Sequence, residues 1–195
     1  MKKKLILVAS PPACGKTYVS ELISKALGHI VYLDKDDLAD LLRCSFSLCG
    51  EPLDMDGKFY IENLRPSEYA SFIRIALSAL RFEDSVILNA PFGKEVRDTE
   101  YMRELKDKAN GLGAELILVW VTAPPEVCYA RMKKRNSDRD ALKLQNWDEY
   151  VKTVNYRAPK ELESKGAVDR LIIFDSTDDA SVEASLAKTL EIIKK

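Results

Sequence analysis

One histidine, His29, is all the imidazole this 195-residue chain has. A Ser-His-Asp triad or a histidine-rich metal site is therefore excluded. Four cysteines, Cys14, Cys44, Cys49 and Cys128, form no Cys-x-x-Cys pair and no zinc spacing. They read as reduced thiols, the pattern expected of a cytoplasmic protein. The chain has no excess of positive charge: its formal net charge is −1. That balance argues against duplex nucleic acid as a partner. No run approaches the roughly 20 apolar residues of a membrane span, and Lys2-Lys3-Lys4 is followed by too short an apolar run to make a signal peptide. Repeats and low-complexity stretches are missing too. The length suits one domain, 1–195, with one substantial core, as a monomer or homodimer.

What is present is concentrated near the N-terminus. Ser10 to Thr17 read Ser-Pro-Pro-Ala-Cys-Gly-Lys-Thr. This is a phosphate-binding loop with Ser10 where the first glycine should stand; Gly15, Lys16 and Thr17 are in place. An apolar run, Leu5 to Ala9, precedes it and reads as a buried strand. Val19, Leu22, Ile23, Ala26 and Leu27 follow at helical spacing, and Gly28 ends them. Strand, tight loop and helix aim backbone N–H groups and the helix dipole at phosphate. Pro12 has no N–H, so Ala13, Cys14, Gly15, Lys16 and Thr17, with Tyr18 beside them, form the expected nucleotide cradle. Lys16 is expected on the β- and γ-phosphates of ATP and the Thr17 hydroxyl on Mg2+. Cys14, at a helix N-terminus, is a thiol whose pKa could fall, or simply a small residue that fits the turn.

Strand patterns at 4–9, 30–33, 85–89, 114–122 and 170–174 alternate with helical ones at 16–27, 36–43, 66–82, 97–111, 125–135, 147–163 and 179–194. Alternation of this kind implies an α/β protein with a parallel sheet and right-handed crossovers. Ligands of such sheets sit at the carboxyl ends of the strands. Residues 44–65 show the weakest pattern and are expected to be an irregular, substrate-region insertion; 131–145 is expected to be a lid.

The strand-end rule selects the chemistry. Asp34 and Asp36 follow the second strand and should lie beside the phosphate loop. A kinase needs a carboxylate to take the acceptor's hydroxyl proton. Asp36 is the first choice for that base; Asp34 is the alternative base or a partner of Mg2+. Either would also cap the next helix. Asn89 ends the third strand, where many phosphate-loop enzymes carry a metal-associated Asp; it reads equally as a turn residue before Pro91. Arg131, Arg135 and Arg139 recur every four residues, on one helix face, and suit a lid that closes on the transferring phosphoryl group, although a solvated charged face has the same pattern. Arg65, Tyr69 and Arg97 are candidates for binding the acceptor, or surface residues. Asp175-Ser176-Thr177 reads as an adenine contact or a helix cap.

Together Gly15-Lys16-Thr17, Asp36-Asp37-Leu38, Ala90-Pro91-Phe92 with Arg97, and Pro124-Pro125-Glu126-Val127 leading to Arg131 and Arg135 resemble the phosphate-loop kinase group. That group includes polynucleotide kinases, zeta-type toxins, chloramphenicol phosphotransferase and gluconate kinase. Within it the chain is most similar to bacterial ATP-binding proteins with Leu33 to Asp36 and Trp147 to Tyr150. The resemblance implies a three-layer sandwich on a five-stranded parallel sheet of the adenylate-kinase type, binding of ATP and Mg2+, and phosphoryl transfer to a small-molecule or nucleotide-like hydroxyl. Ser10 and Asn89 depart from the group pattern, which bears on metal handling. An ATP-driven regulatory switch is the alternative. A GTPase is not expected: Asn-Lys-x-Asp is missing, and Asp54-Met-Asp-Gly57 follows no strand.

Overall fold

In β1 (Lys3–Ala9), Leu5 to Ala9 are wholly buried, as a strand covered on both faces must be. The other strands are β2 (Val31–Asp34), β3 (Ser85–Asn89), β4 (Ala114–Thr122) and β5 (Arg170–Asp175). They form one all-parallel sheet in the order β2-β3-β1-β4-β5. The computed structural model describes residues 2–195, with the backbone alone at Asp138 and Arg139.

Alternation along β1 divides the interior. Leu5, Leu7 and Ala9 pack with Tyr69 and Phe72 of α3 (Arg65–Ala79) and Met102 and Leu105 of α4 (Thr99–Asn110). Ile6 and Val8 pack with Val19 and Ile23 of α1 (Lys16–Leu27), Cys128 of α5 (Pro125–Arg135) and Val182 and Ile193 of α9 (Asp179–Lys194). Helices on both faces of a parallel sheet give the expected three layers.

Three expectations about elements fail. The stretch 44–65 is mostly helical: α2 (Ala39–Cys49) runs into it and a π-helical turn at Tyr60–Leu64 feeds α3, leaving only its middle irregular. Leu42, Phe46 and Tyr60, with Phe59, Ile61 and Leu64, bury one another in a satellite core, which sequence spacing interrupted by Gly50 and Pro52 conceals. The helix expected over 147–163 splits into α7 (Trp147–Thr153) and α8 (Glu161–Ser164), because Pro159 biases its predecessor away from the helical region. The basic run is likewise two helices. Asn136, left-handed at φ 47°, ends α5, and α6 (Asp138–Gln145) starts anew, so Arg139 does not share a helix face with Arg131 and Arg135.

Candidate active site

The phosphate loop joins the central strand to α1. Its left-handed residues are Ala13 (φ 61°) and Gly15 (φ 85°); Ser10 is not among them. The glycine that the motif lacks is thus not required by the backbone at that position. Gly15 is favoured by its φ; a Cβ there would make only ordinary contacts, with Arg131 Nη1 at 3.5 Å and Ser176 Oγ at 3.7 Å. The α1 ladder starts with Val19 N–H donating to Gly15 C=O (3.0 Å), with no side-chain cap and no acidic residue in the first turn. A helix N-terminus left this way is built to receive an anion. Tyr18 stands exposed on that first turn.

Strand order decides what lies beside the loop. β3, not β2, is the neighbour of β1, so the acids after β2 face the loop across Asn89 of the intervening strand. Val8, Asn89 and Asp34 are aligned across three strands. Asn89 is wholly buried and links the row. Its Oδ1 accepts from Lys16 Nζ at 2.5 Å. Its Nδ2 lies 2.5 Å from Asp34 Oδ2, 3.1 Å from the Tyr32 hydroxyl and 3.3 Å from Thr17 Oγ1. Burial pushes the Tyr32 phenol up, so it stays a neutral donor, toward Asp34 at 3.3 Å. Asp34 Oδ1 in turn accepts the Asp36 amide at 2.9 Å, which fixes the turn that leaves Asp36 exposed.

The far side of the loop is strapped from the last strand. Ser176, just after β5, donates its hydroxyl to the Cys14 carbonyl at 2.6 Å. Arg131 donates to that hydroxyl at 3.3 Å and to the Ser176 carbonyl. Arg131 Nη1 therefore lies beside Gly15, 3.5 Å from where a Cβ would stand. Ser176 is a residue whose role the sequence missed. Arg135 turns away to Asp140, Nε at 2.8 Å and Nη2 at 2.6 Å; the Arg139 side chain lies outside the described residues. Cys14 is wholly buried, 3.5 Å from Cys128 across the sulfurs. The hydrogen bond to Cys128, together with burial, pushes its thiol up rather than down.

The acceptor candidates are placed differently. Tyr69 is buried, edge-on to Phe92 (5.6 Å, 79°). Arg65 lies over its ring at 4.1 Å and grips Glu95 with both nitrogens, at 2.7 and 2.9 Å. Burial opposes the Arg65 charge, but the Glu95 pair prevails and holds its pKa up. Lys35 pairs with Glu68 at 2.8 Å, and the Tyr60 hydroxyl donates to the same carboxylate at 2.5 Å. Arg97 lies over Trp120 and donates to the carbonyls of Asn155 and Arg157; burial lowers its pKa. These residues brace the loops after β2 and β3.

Among the described residues no cluster of three or more His, Cys, Asp or Glu side chains could hold a metal by itself. Mg2+ needs no such cage: it takes hard oxygen ligands, keeps waters and shares phosphates. A Thr17 hydroxyl within reach of Asn89, and an Asp34 carboxylate on the same amide, fit that pattern.

The family model described as AAA domain (AAA_33) matches residues 5–156. No curated protein sequence matches the chain. Among solved structures, a presumed kinase from Chloroflexus aurantiacus is 19% identical, with TM-score 0.66 and 98% of each chain covered. Chaetomium thermophilum Kti12, solved with ADP-AlF3, is 17% identical at TM-score 0.58, over 96% of this chain and 97% of that one. The Mycobacterium tuberculosis APS kinase CysC, solved with AMPPNP and APS, is 16% identical at TM-score 0.54, over 100% and 99%. These likenesses establish the fold. No helix among the described residues is long and apolar enough to cross a membrane.

Proposed function

This chain belongs to the AAA domain family, with the fold of phosphate-loop kinases, and we propose that it is an ATP-dependent phosphotransferase acting on a hydroxyl of a small-molecule or nucleotide-like acceptor. The observation that carries the reading is the hydrogen-bonded row from Lys16 and Thr17 through Asn89 to Asp34 and on to the Asp36 amide. It couples a phosphate cradle to an exposed carboxylate at the same sheet edge, which is the pairing that phosphoryl transfer needs.

In this reading the loop amides and Lys16 hold the ATP phosphates, and Arg131 adds positive charge beside Gly15. Asp36 receives the acceptor's proton as its oxygen bonds to the γ-phosphorus and the bond to the ADP oxygen breaks. Thr17 and Asp34 would hold Mg2+, which would neutralise charge on the phosphates. Asp34 then supplies, from the neighbouring strand, the carboxylate that β3 lacks at Asn89. Replacement Asp36→Asn is expected to abolish transfer from labelled ATP to hydroxyl compounds while ATP affinity stays near wild type. Equal loss of both, or of neither, sinks the assignment.

A second reading is an ATP-hydrolysing switch. It is favoured by one observation: Arg65, Tyr69 and Arg97 are committed to internal partners rather than left for an acceptor. Hydrolysis that no hydroxyl compound accelerates, with an unchanged rate in Asp36→Asn, would select it.

A further inference from the structure

Two thiols meet directly behind the phosphate cradle. Cys14 lies in the loop itself, between left-handed Ala13 and Gly15; Cys128 lies in the first turn of α5. They are 114 positions apart in the chain, both buried and both free thiols. Their sulfurs are 3.5 Å apart. A disulfide needs about 2.05 Å, so bond formation demands a sulfur approach of only about 1.5 Å. The Cys14 peptide is part of the cradle and its carbonyl is held by the Ser176 hydroxyl, so any backbone shift that closes the bond is carried into the loop.

We propose that Cys14 and Cys128 are an oxidisable dithiol whose disulfide distorts the phosphate cradle and lowers nucleotide affinity. The proposal rests on the reading of this loop as the nucleotide site. The oxidant is hydrogen peroxide; both sulfurs are wholly buried, so it gains access as the loop opens locally, a motion that bound nucleotide would restrain. Taking Cys128 as the first to attack, since Cys14 is tied to the loop through its carbonyl, gives the same products as the reverse order. The Cys128 sulfur takes one peroxide oxygen and the O–O bond breaks, giving a sulfenic acid and water. The Cys14 sulfur then attacks the sulfenic sulfur, its proton leaves with the hydroxyl as a second water, and the S–S bond closes. Two thiols are oxidised and one peroxide is reduced to two waters. A thiol reductant reverses the bond.

Coupling between disulfide and nucleotide is reciprocal: whatever factor the disulfide removes from ATP affinity, bound ATP removes from disulfide formation. The test uses the full chain carrying Cys44→Ser and Cys49→Ser, which removes the two exposed thiols. Treatment with hydrogen peroxide is expected to give a Cys14–Cys128 linked peptide in a non-reducing digest. ATP affinity should fall at least about tenfold, or 1.4 kcal/mol, and recover with dithiothreitol, and prior ATP should slow the crosslink. Cys128→Ala, with Cys128→Ser as a second variant should the first misfold, should bind ATP and ignore peroxide. The proposal is overturned if both thiols remain alkylatable after peroxide, or if the crosslink forms and ATP affinity is unchanged. Failure of the reduced protein to bind ATP would instead overturn the nucleotide reading, and the digest would still report on the dithiol.

Discussion

The phosphate loop and the braced region between β2 and α4 both hold basic side chains, and they hold them in opposite ways. Over the loop, Arg131 rests on the hydroxyl and carbonyl of Ser176, both neutral. Across the sheet, Arg65 and Lys35 are clamped to Glu95 and Glu68 with little solvent access: the Lys35 and Glu68 side chains are 8% and 2% exposed. A charge held by neutral oxygens keeps its field for an incoming phosphate. One cancelled by a buried carboxylate is already spent on the fold. Residue type alone therefore does not mark a ligand group; the partner does.

The contrast can be broken from either side. The largest effect is expected from Glu68→Ala, which strands the Lys35 charge and the Tyr60 hydroxyl in the interior. Breaking one side of a buried pair costs roughly 3–5 kcal/mol, read as a lower denaturation midpoint, with the ATP affinity of the remaining folded protein retained. Arg131→Ala should do the reverse. Removal of one donor from a preorganised site lowers kcat by on the order of 10²–10³, with a thermal midpoint close to wild type. A stability loss larger than the kinetic one would move Arg131 into the structural class.

The mildest probe is alkaline pH. Burial, then the Glu68 carboxylate, pushes the Tyr60 phenol up; burial, then Glu95, pushes Tyr101 up to about 12. A folded-state pKa above the unfolded value of about 10 means the fold favours the protonated phenol. That stability is fully present below about pH 10 and is lost as pH rises toward 12. Melting midpoints should fall through that window. Tyr60→Phe should lessen the fall, and an unchanged slope would remove Tyr60 from the account.

Local pattern made much of the frame legible. β3, β4, α5 and α9 begin and end where sequence spacing placed them, because burial on a sheet or a helix face repeats over neighbouring residues. The loop at Gly15-Lys16-Thr17 was legible for the same reason. What escaped depends on strand order and distant pairing. Asn89 looked like a turn residue or a weakened metal ligand, and becomes a link only when β3 is set between β1 and β2. Arg65 and Tyr69 looked like acceptor contacts because Glu95 lies 30 residues from Arg65. Phe92 sits wholly buried at φ 48°, an uncommon conformation for a bulky residue that no local signal announces.

The bond from Ser176 to Cys14 spans 162 residues of sequence. On the ribosome, the phosphate loop is made 162 residues before the residue that fastens it. A chain stopped before residue 176 would carry the whole phosphate-loop sequence and lack its strap. The loop is fastened on this side only once β5 and Ser176 have been made, and a fragment bearing the motif should not be mistaken for a transferable module.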